Sequence, residues 1–185
     1  MGKDKFILEE DGHVIEMGIH SELIYEVVQR LDSLYEEEIE HYSVAPYRIE
    51  EIPSRSRQIE IMSPDILVSI PNKMIQAIEI ESDTGFDFDQ SMRQIQKYKK
   101  KYRVKVVIPK TYEKFAELYE NDGIKAYLWS GIRVWRCLNC GTDIKPTKGE
   151  TGYKKPNCEK CGTKEVRLYR VQNFSLKPYS DYTHP

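Results

Sequence analysis

The chain reads as an α/β protein, a mixed sheet flanked by helices, followed by a small module organised by cysteines. Three observations predict this. Apolar residues recur at helical spacing in some segments and as short β-branched runs in others, interleaved along residues 1–130. Two apolar runs, 65–70 and 75–80, flank a Pro71-Asn72-Lys73 turn. All four cysteines fall in the last third of the chain.

The elements follow in order. Residues 1–17 alternate modestly (Phe6, Leu8; Val14, Ile15) around Asp11-Gly12, as a small hairpin would. Ser21 can cap a helix in which Leu23, Ile24, Val27, Val28, Leu31 and Leu34 recur at helical spacing to about Ile39. Residues 48–52 read as a strand stopped by Pro53, and 54–58 as an exposed loop. The hairpin 65–80 ends at Thr84-Gly85. Phe88, Met92, Ile95, Tyr98 and Tyr102 mark one face of a helix. Residues 104–108 are a continuous β-branched run, read as a buried strand ended by Pro109. A helix over 112–120 closes at Asn121-Asp122-Gly123, a strand covers 124–129, and Gly131 begins a new segment. The early strands should pair as hairpins. The later ones alternate with helices and should run parallel. The expected division is a body over 1–130, a cysteine module over 131–176 and an unstructured tail over 177–185.

Composition narrows the class. The chain has 185 residues, 39% apolar and 31% charged, with a mean hydropathy of −0.63. That length supports one real core and a small appendage. No run of 18 apolar residues exists, so no membrane helix is expected. MGKDKFILEEDGH lacks the apolar stretch of a signal peptide, which points to the cytoplasm. Residues 1–130 carry 17 basic and 25 acidic side chains, and residues 131–185 carry 11 and 5. A basic module on an acidic body suggests an anionic partner.

The cysteines read CLNCG (137–141) and CEKCG (158–162), a C-x2-C pair, 17 residues, and a second C-x2-C pair. Two intervening residues let both thiolates of a pair reach one ion. The following glycine permits the turn that aims amides at sulfur. Cys137, Cys140, Cys158 and Cys161 together give tetrahedral S4 coordination, which suits Zn2+. The module is too small to fold on apolar burial, so the metal should supply its folding energy. It resembles zinc ribbons. Lys145, Lys148, Lys154, Lys155, Lys160, Lys164, Arg167 and Arg170 lie within or beside the pairs, and such ribbons often bind nucleic acid or protein.

The hairpin raises a different question. With a three-residue turn at 71–73, Ile70 pairs with Met74 and Asp65 lies opposite Glu79. Glu81 shares the face of Glu79, while Ile78 and Ile80 point the other way. Two carboxylates about 5 Å apart repel by about 3 kcal/mol at an effective dielectric near 20. A hard cation with oxygen ligands, Mg2+ or Mn2+, offsets that.

Pro64-Asp65, then 13 residues, then Glu79-Ile80-Glu81, after one helix and before another, resembles the PD-(D/E)xK nuclease superfamily of restriction-endonuclease-like fold. Gln94 to Tyr98 (QIQKY) resembles the Q-h-x-x-Y element of its RecB-type members, without the preceding glycine. The resemblance covers residues 20–130. It implies a metal-dependent nuclease, expected to be a DNA endonuclease, with the zinc ribbon gripping substrate. Asp65, Glu79 and the Ile80 carbonyl would ligate Mg2+ or Mn2+. An acid on the first helix, Glu22 or one turn later Glu26, would complete the site. Glu81 would act as general base or as ligand of a second metal, and Gln94 and Tyr98 would join the catalytic set. The family usually has lysine where this chain has Glu81, although some restriction enzymes with E-x-E there are active. That departure shifts transition-state charge onto metals. Arg93, Lys97 and Lys101, spaced by four, could replace the missing charge. Seven of the 13 residues 93–105 are basic, with tyrosines interleaved, which suits phosphate tracking. Related nucleases are often homodimers, and the residues do not decide that point. Two other functions fit the missing lysine: an inactive nucleic-acid-binding protein on a nuclease scaffold, or a zinc-ribbon adaptor in a repair or transcription complex.

Overall fold

The computed structural model describes residues 9–10, 13–14, 19–44, 64–83, 85–137, 139–145, 147–149, 152–154, 156–164 and 166–183. The strand expected at 48–52 and the loop at 54–58 lie outside them. The elements run β1 (Glu9–Glu10), β2 (His13–Val14), α1 (Ile19–Val28), α2 (Leu31–Leu34), β3 (His41–Val44), β4 (Ile66–Ser69), β5 (Gln76–Ile80) and α3 (Phe88–Tyr98). Then come β6 (Arg103–Pro109), a 3-10 helix (Lys110–Phe115), α4 (Ala116–Asn121), β7 (Lys125–Cys137), β8 (Asp143–Ile144), β9 (Thr147–Gly149), β10 (Gly152–Lys154), β11 (Val166–Pro178) and α5 (Ser180–Thr183). Among the described residues no helix is long and apolar enough to cross a membrane.

The chain divides into two compact units: Met1–Arg30 with Trp129–Lys177, and Leu31–Leu128 with Pro178–Pro185. The first 30 residues group with the stretch that carries the cysteines.

In the Leu31–Leu128 unit the sheet is mixed. The strand order is β3-β4-β5-β6-β7, with β3/β4 and β4/β5 antiparallel and β5/β6 parallel. The hairpin register follows its turn. Lys73 N–H donates to the Ile70 carbonyl, and Asn72 takes the left-handed conformation that turns favour. Ile66 pairs with Ile78, Leu67 with Ala77 and Val68 with Gln76, and the same register carried outward sets Asp65 against Glu79. The α3/α4 side of the sheet holds the core, with Ala77, Val104, Val106, Ile108, Ala126 and Leu128 packed with Ile95, Tyr98 and Tyr119. Asp87 caps α3, its side chain accepting from Gln90 N–H. The helix expected to run on to Ile39 instead breaks at Gln29-Arg30. Arg30 N–H reaches back three residues to Val27, and Leu31 and Leu34 are then buried from the separate turn α2. Periodicity alone does not show such a break, because the apolar spacing continues through it.

In the other unit β1 and β2 pair antiparallel, Glu9 with Val14 and Glu10 with His13, and the expected turn at Asp11-Gly12 lies outside the described residues. The C-terminal part of β7 pairs with β8 and β11. Gly131 does not begin a new segment but lies inside β7. A Cβ there would fall 2.2 Å from Val171 Cγ1 and 3.1 Å from the Gln172 carbonyl, so this glycine permits a close backbone approach. Trp129 stacks on Phe174 with centroids 6.2 Å apart. Residues 178–183 carry regular structure where an unstructured tail was expected. They complete β11, form α5, and donate from Tyr179 N–H to the Ala126 carbonyl within their own unit.

Candidate functional site

The four cysteines sit on two equivalent knuckles. In the first, Cys137 N–H donates to the Thr142 carbonyl and Gly141 N–H to the Cys137 carbonyl. In the second, Cys158 N–H donates to Thr163 and Gly162 N–H to Cys158. Gly141 and Gly162 have φ of 66° and 70°, a conformation that disfavours other residues. The repeat C-x2-C-G-T thus builds the same turn twice. All four sulfurs lie within 4.8 Å of one another, with Cys137–Cys161 and Cys140–Cys158 each at 3.5 Å. A disulfide needs about 2.05 Å. Sulfurs of a tetrahedral site with Zn–S bonds of about 2.3 Å lie about 3.8 Å apart. Hydrogen bonding with the Thr142 side chain and backbone brings the Cys140 thiol down to about 6, favouring the thiolate. Cys137 and Cys158 are buried, with Trp135 and Ile144 packed against them. The four cysteines could therefore hold one metal ion.

The acidic hairpin is assembled across strands. Glu79, at the C-terminal end of β5, is only 7% exposed, and its Oε2 is buried without a hydrogen-bond partner. Asp65, just before β4, is also buried, and its Oδ2 accepts from the Ile80 amide at 2.7 Å. Glu81 follows β5 and extends the ladder, donating its amide to the Val107 carbonyl. Burial raises the Glu79 carboxyl well above the ordinary carboxylate range, and Asp65 and then Glu81 push it further. Among the described residues, the cysteines alone bring three or more metal-ligating atoms so close together; Asp65, Glu79 and Glu81 are a looser set.

Tyr98, buried on α3, feels all three carboxylates. Burial first, then Glu79, Asp65 and Glu81, raise its hydroxyl above the usual phenol range, so it stays protonated. Gln94 lies half-buried one turn earlier. Two residues beside this set escaped the sequence. The Tyr119 hydroxyl, on α4, donates to Ser91 Oγ at 2.8 Å, and Glu81 and Glu79 add to the burial that raises it. Ser91 lies seven residues before Tyr98 on the same helix, a spacing that could have drawn attention to it. Nothing in the sequence marks Tyr119.

The remaining expected residues are placed as follows. Arg93, Lys97 and Lys101 are exposed. Two other cations of that basic stretch are engaged elsewhere. Lys99 pairs with Asp122 at 2.8 Å, and Lys105 is directed to the Leu34 carbonyl. Glu22 is buried on α1, and Glu26 pairs with Arg30 at 2.5 Å; both belong to the unit that carries the cysteines. Lys145, Lys160 and Lys164 are exposed. No family model, no curated protein and no solved structure matches this chain.

Proposed function

We propose that this chain is a metal-dependent nuclease, a DNA endonuclease, stabilised by Zn2+ in its cysteine cluster. Glu79 carries the proposal. A buried carboxylate with an unpartnered oxygen, set across from Asp65, is costly alone and fits a hard cation. Asp65, Glu79 and the Ile80 carbonyl would hold Mg2+ or Mn2+. When bound, the ion supplies Lewis acidity towards a phosphodiester and the positive charge that lysine brings in related sites. Glu81 takes a proton from the attacking water. Tyr98 keeps its own proton and can donate to a phosphate oxygen. Arg93, Lys97 and Lys101, with the lysines of the ribbon, hold the backbone of the nucleic acid. The test is cleavage of duplex, branched and single-stranded DNA and of RNA with each metal. Mg2+- or Mn2+-dependent cutting that disappears in Asp65→Ala is expected. No cutting of any substrate with either metal would falsify the proposal.

A second reading is a nucleic-acid-binding protein without catalysis. It is favoured by Glu81 at the position of lysine and by the looser grouping of the carboxylates. It predicts salt-sensitive binding that Asp65→Ala leaves unchanged.

A further inference from the structure

We propose that a basic cavity built around Lys105, on the face of the sheet opposite the acidic hairpin, binds a phosphate monoester. The two sites are separated by the alternation of β5 and β6. Ala77 packs in the α3/α4 core, and Glu79 and Glu81 share its face. Gln76, Ile78 and Ile80 face the other way. On β6, Val104, Val106 and Ile108 join that core, which leaves Lys105 on the opposite side. Gln76 and Arg103 open their parallel strands, whereas Glu79 and Glu81 close theirs.

The cavity has a volume of about 310 Å3, at the lower end of the range of about 300–1,000 Å3 for small-ligand sites. Lys73, Arg103, Lys105 and Lys125 line it, and among the described residues Glu36 and Glu37 are its lining carboxylates. Lys73 is already bonded to Glu37. Arg103, Lys105 and Lys125 remain, with Glu36 as the other acid and the Lys125 ammonium 5.4 Å from the centroid of the Tyr127 ring. The Lys105 ammonium lies 3.5 Å from the centroid of the Tyr35 ring and donates to the Leu34 carbonyl. An ammonium has three donors, so a bound anion would find N–H groups to accept. Burial, and then Lys125 and Arg103, lower this amine to about 8, while Glu37 and Glu36 act in the opposite direction.

Lys105 has a structural role as well, since Leu34 ends α2 and its carbonyl accepts from Lys105 beside the Tyr127 hydroxyl. That role accounts for one cation. It does not account for Arg103 and Lys125 beside it, whose repulsion an anion would relieve. A dianionic phosphate with several acceptor oxygens fits three cationic donors better than a carboxylate does.

The test titrates the full-length, zinc-loaded protein with inorganic phosphate, with a nucleoside monophosphate and with an oligonucleotide bearing or lacking a 5′-phosphate. Chloride at matched ionic strength is the control, and backbone amide NMR shifts are the readout. Saturable binding of phosphate or the monophosphate is expected, with shifts at Gln76, Arg103 and Lys125. Arg103→Gln should weaken it about tenfold, leave the melting temperature unchanged and leave the Leu34 cap in place. Lys105→Met should weaken it as much; if that variant does not fold, Lys125→Gln carries the same test. Tighter binding of the 5′-phosphorylated oligonucleotide than of the monophosphate assigns the site to a nucleic-acid end, and equal affinity assigns it to a small molecule. No saturable binding, or binding that Arg103→Gln leaves unchanged, overturns the proposal. Asp65→Ala should bind phosphate as the wild type does, which separates this site from the nuclease proposal.

Discussion

In the thiol cluster four sulfurs lie within 4.8 Å of one another, each pair set by a turn of six residues. In the acidic hairpin three carboxylates come from two strand ends and do not gather as closely. The difference teaches how a site is assembled. Each cysteine knuckle is local: its glycine, its backbone bonds and its two sulfurs are fixed by adjacent residues. The hairpin depends on register across a turn, and burial beside Asp65 and Glu81 favours the protonated Glu79 carboxyl. The cysteine arrangement places its four ligand atoms together by itself; the proposed cation site at the hairpin would have to be completed by the ion.

The largest effect should come from removing the metal at the thiols. Structural zinc contributes apparent binding energies of about 10–16 kcal/mol in small zinc modules. Purified protein should carry about one zinc. Chelation should unfold residues 137–161 before the rest, followed by amide exchange. Metal analysis without zinc in fresh protein would break the comparison at its firmer side.

Next comes a test of local packing in the same unit. Gly131→Ala places a Cβ against Val171 and the Gln172 carbonyl. It should destabilise the protein by about 1–3 kcal/mol, read by denaturant melts.

The hairpin side is sharpened by Glu79→Gln in buffer without Mg2+. The Glu79 carboxyl is raised in the folded state, so the folded protein binds the extra proton. Its stabilising effect is present below the unfolded value of about 4.3 and is lost as pH rises through the folded value. Wild-type stability should therefore fall as pH rises from about 4.3 to the raised folded value and level off above it, and the Gln variant should lack this fall. Each kcal/mol corresponds to about 2–4 °C in Tm for a chain of this size. Adding Mg2+ should raise the Tm of the wild type but not of Glu79→Gln. Equal pH dependence in both would remove the raised carboxyl argued for the hairpin.

The smallest effect is expected on the exposed basic face of α3 and the turn that follows it. Replacing Arg93, Lys97 and Lys101 by Gln should reduce the salt slope of duplex binding by about 0.9 for each phosphate that this face no longer neutralises. An unchanged slope would remove them from the interface.

Much of this was legible in the sequence, for reasons that particular residues make plain. The cysteine cluster was legible because its chemistry is written in six adjacent residues, twice. The hairpin register was legible because Pro71-Asn72-Lys73 sets the turn and apolar alternation sets the faces. The break at Gln29-Arg30 was not, because Leu31 and Leu34 preserve the spacing of the preceding helix. Gly131 reads as punctuation in the sequence, and only the approach of Val171 shows why it lies within a strand. Tyr119 was invisible for a similar reason: α4 carries it to Ser91, and no sequence spacing links residues 28 positions apart. The cavity around Lys105 was hidden too. The sequence placed that lysine in a basic surface run, whereas strand alternation turns it inward.

The central claim is that the acidic hairpin is a divalent-cation site. Electron paramagnetic resonance of Mn2+ titrated into zinc-loaded protein tests it most directly. The account predicts saturable Mn2+ binding by the wild type, lost in both Asp65→Ala and Glu79→Gln while the zinc content stays constant. No bound Mn2+, or binding that survives both substitutions, would contradict it.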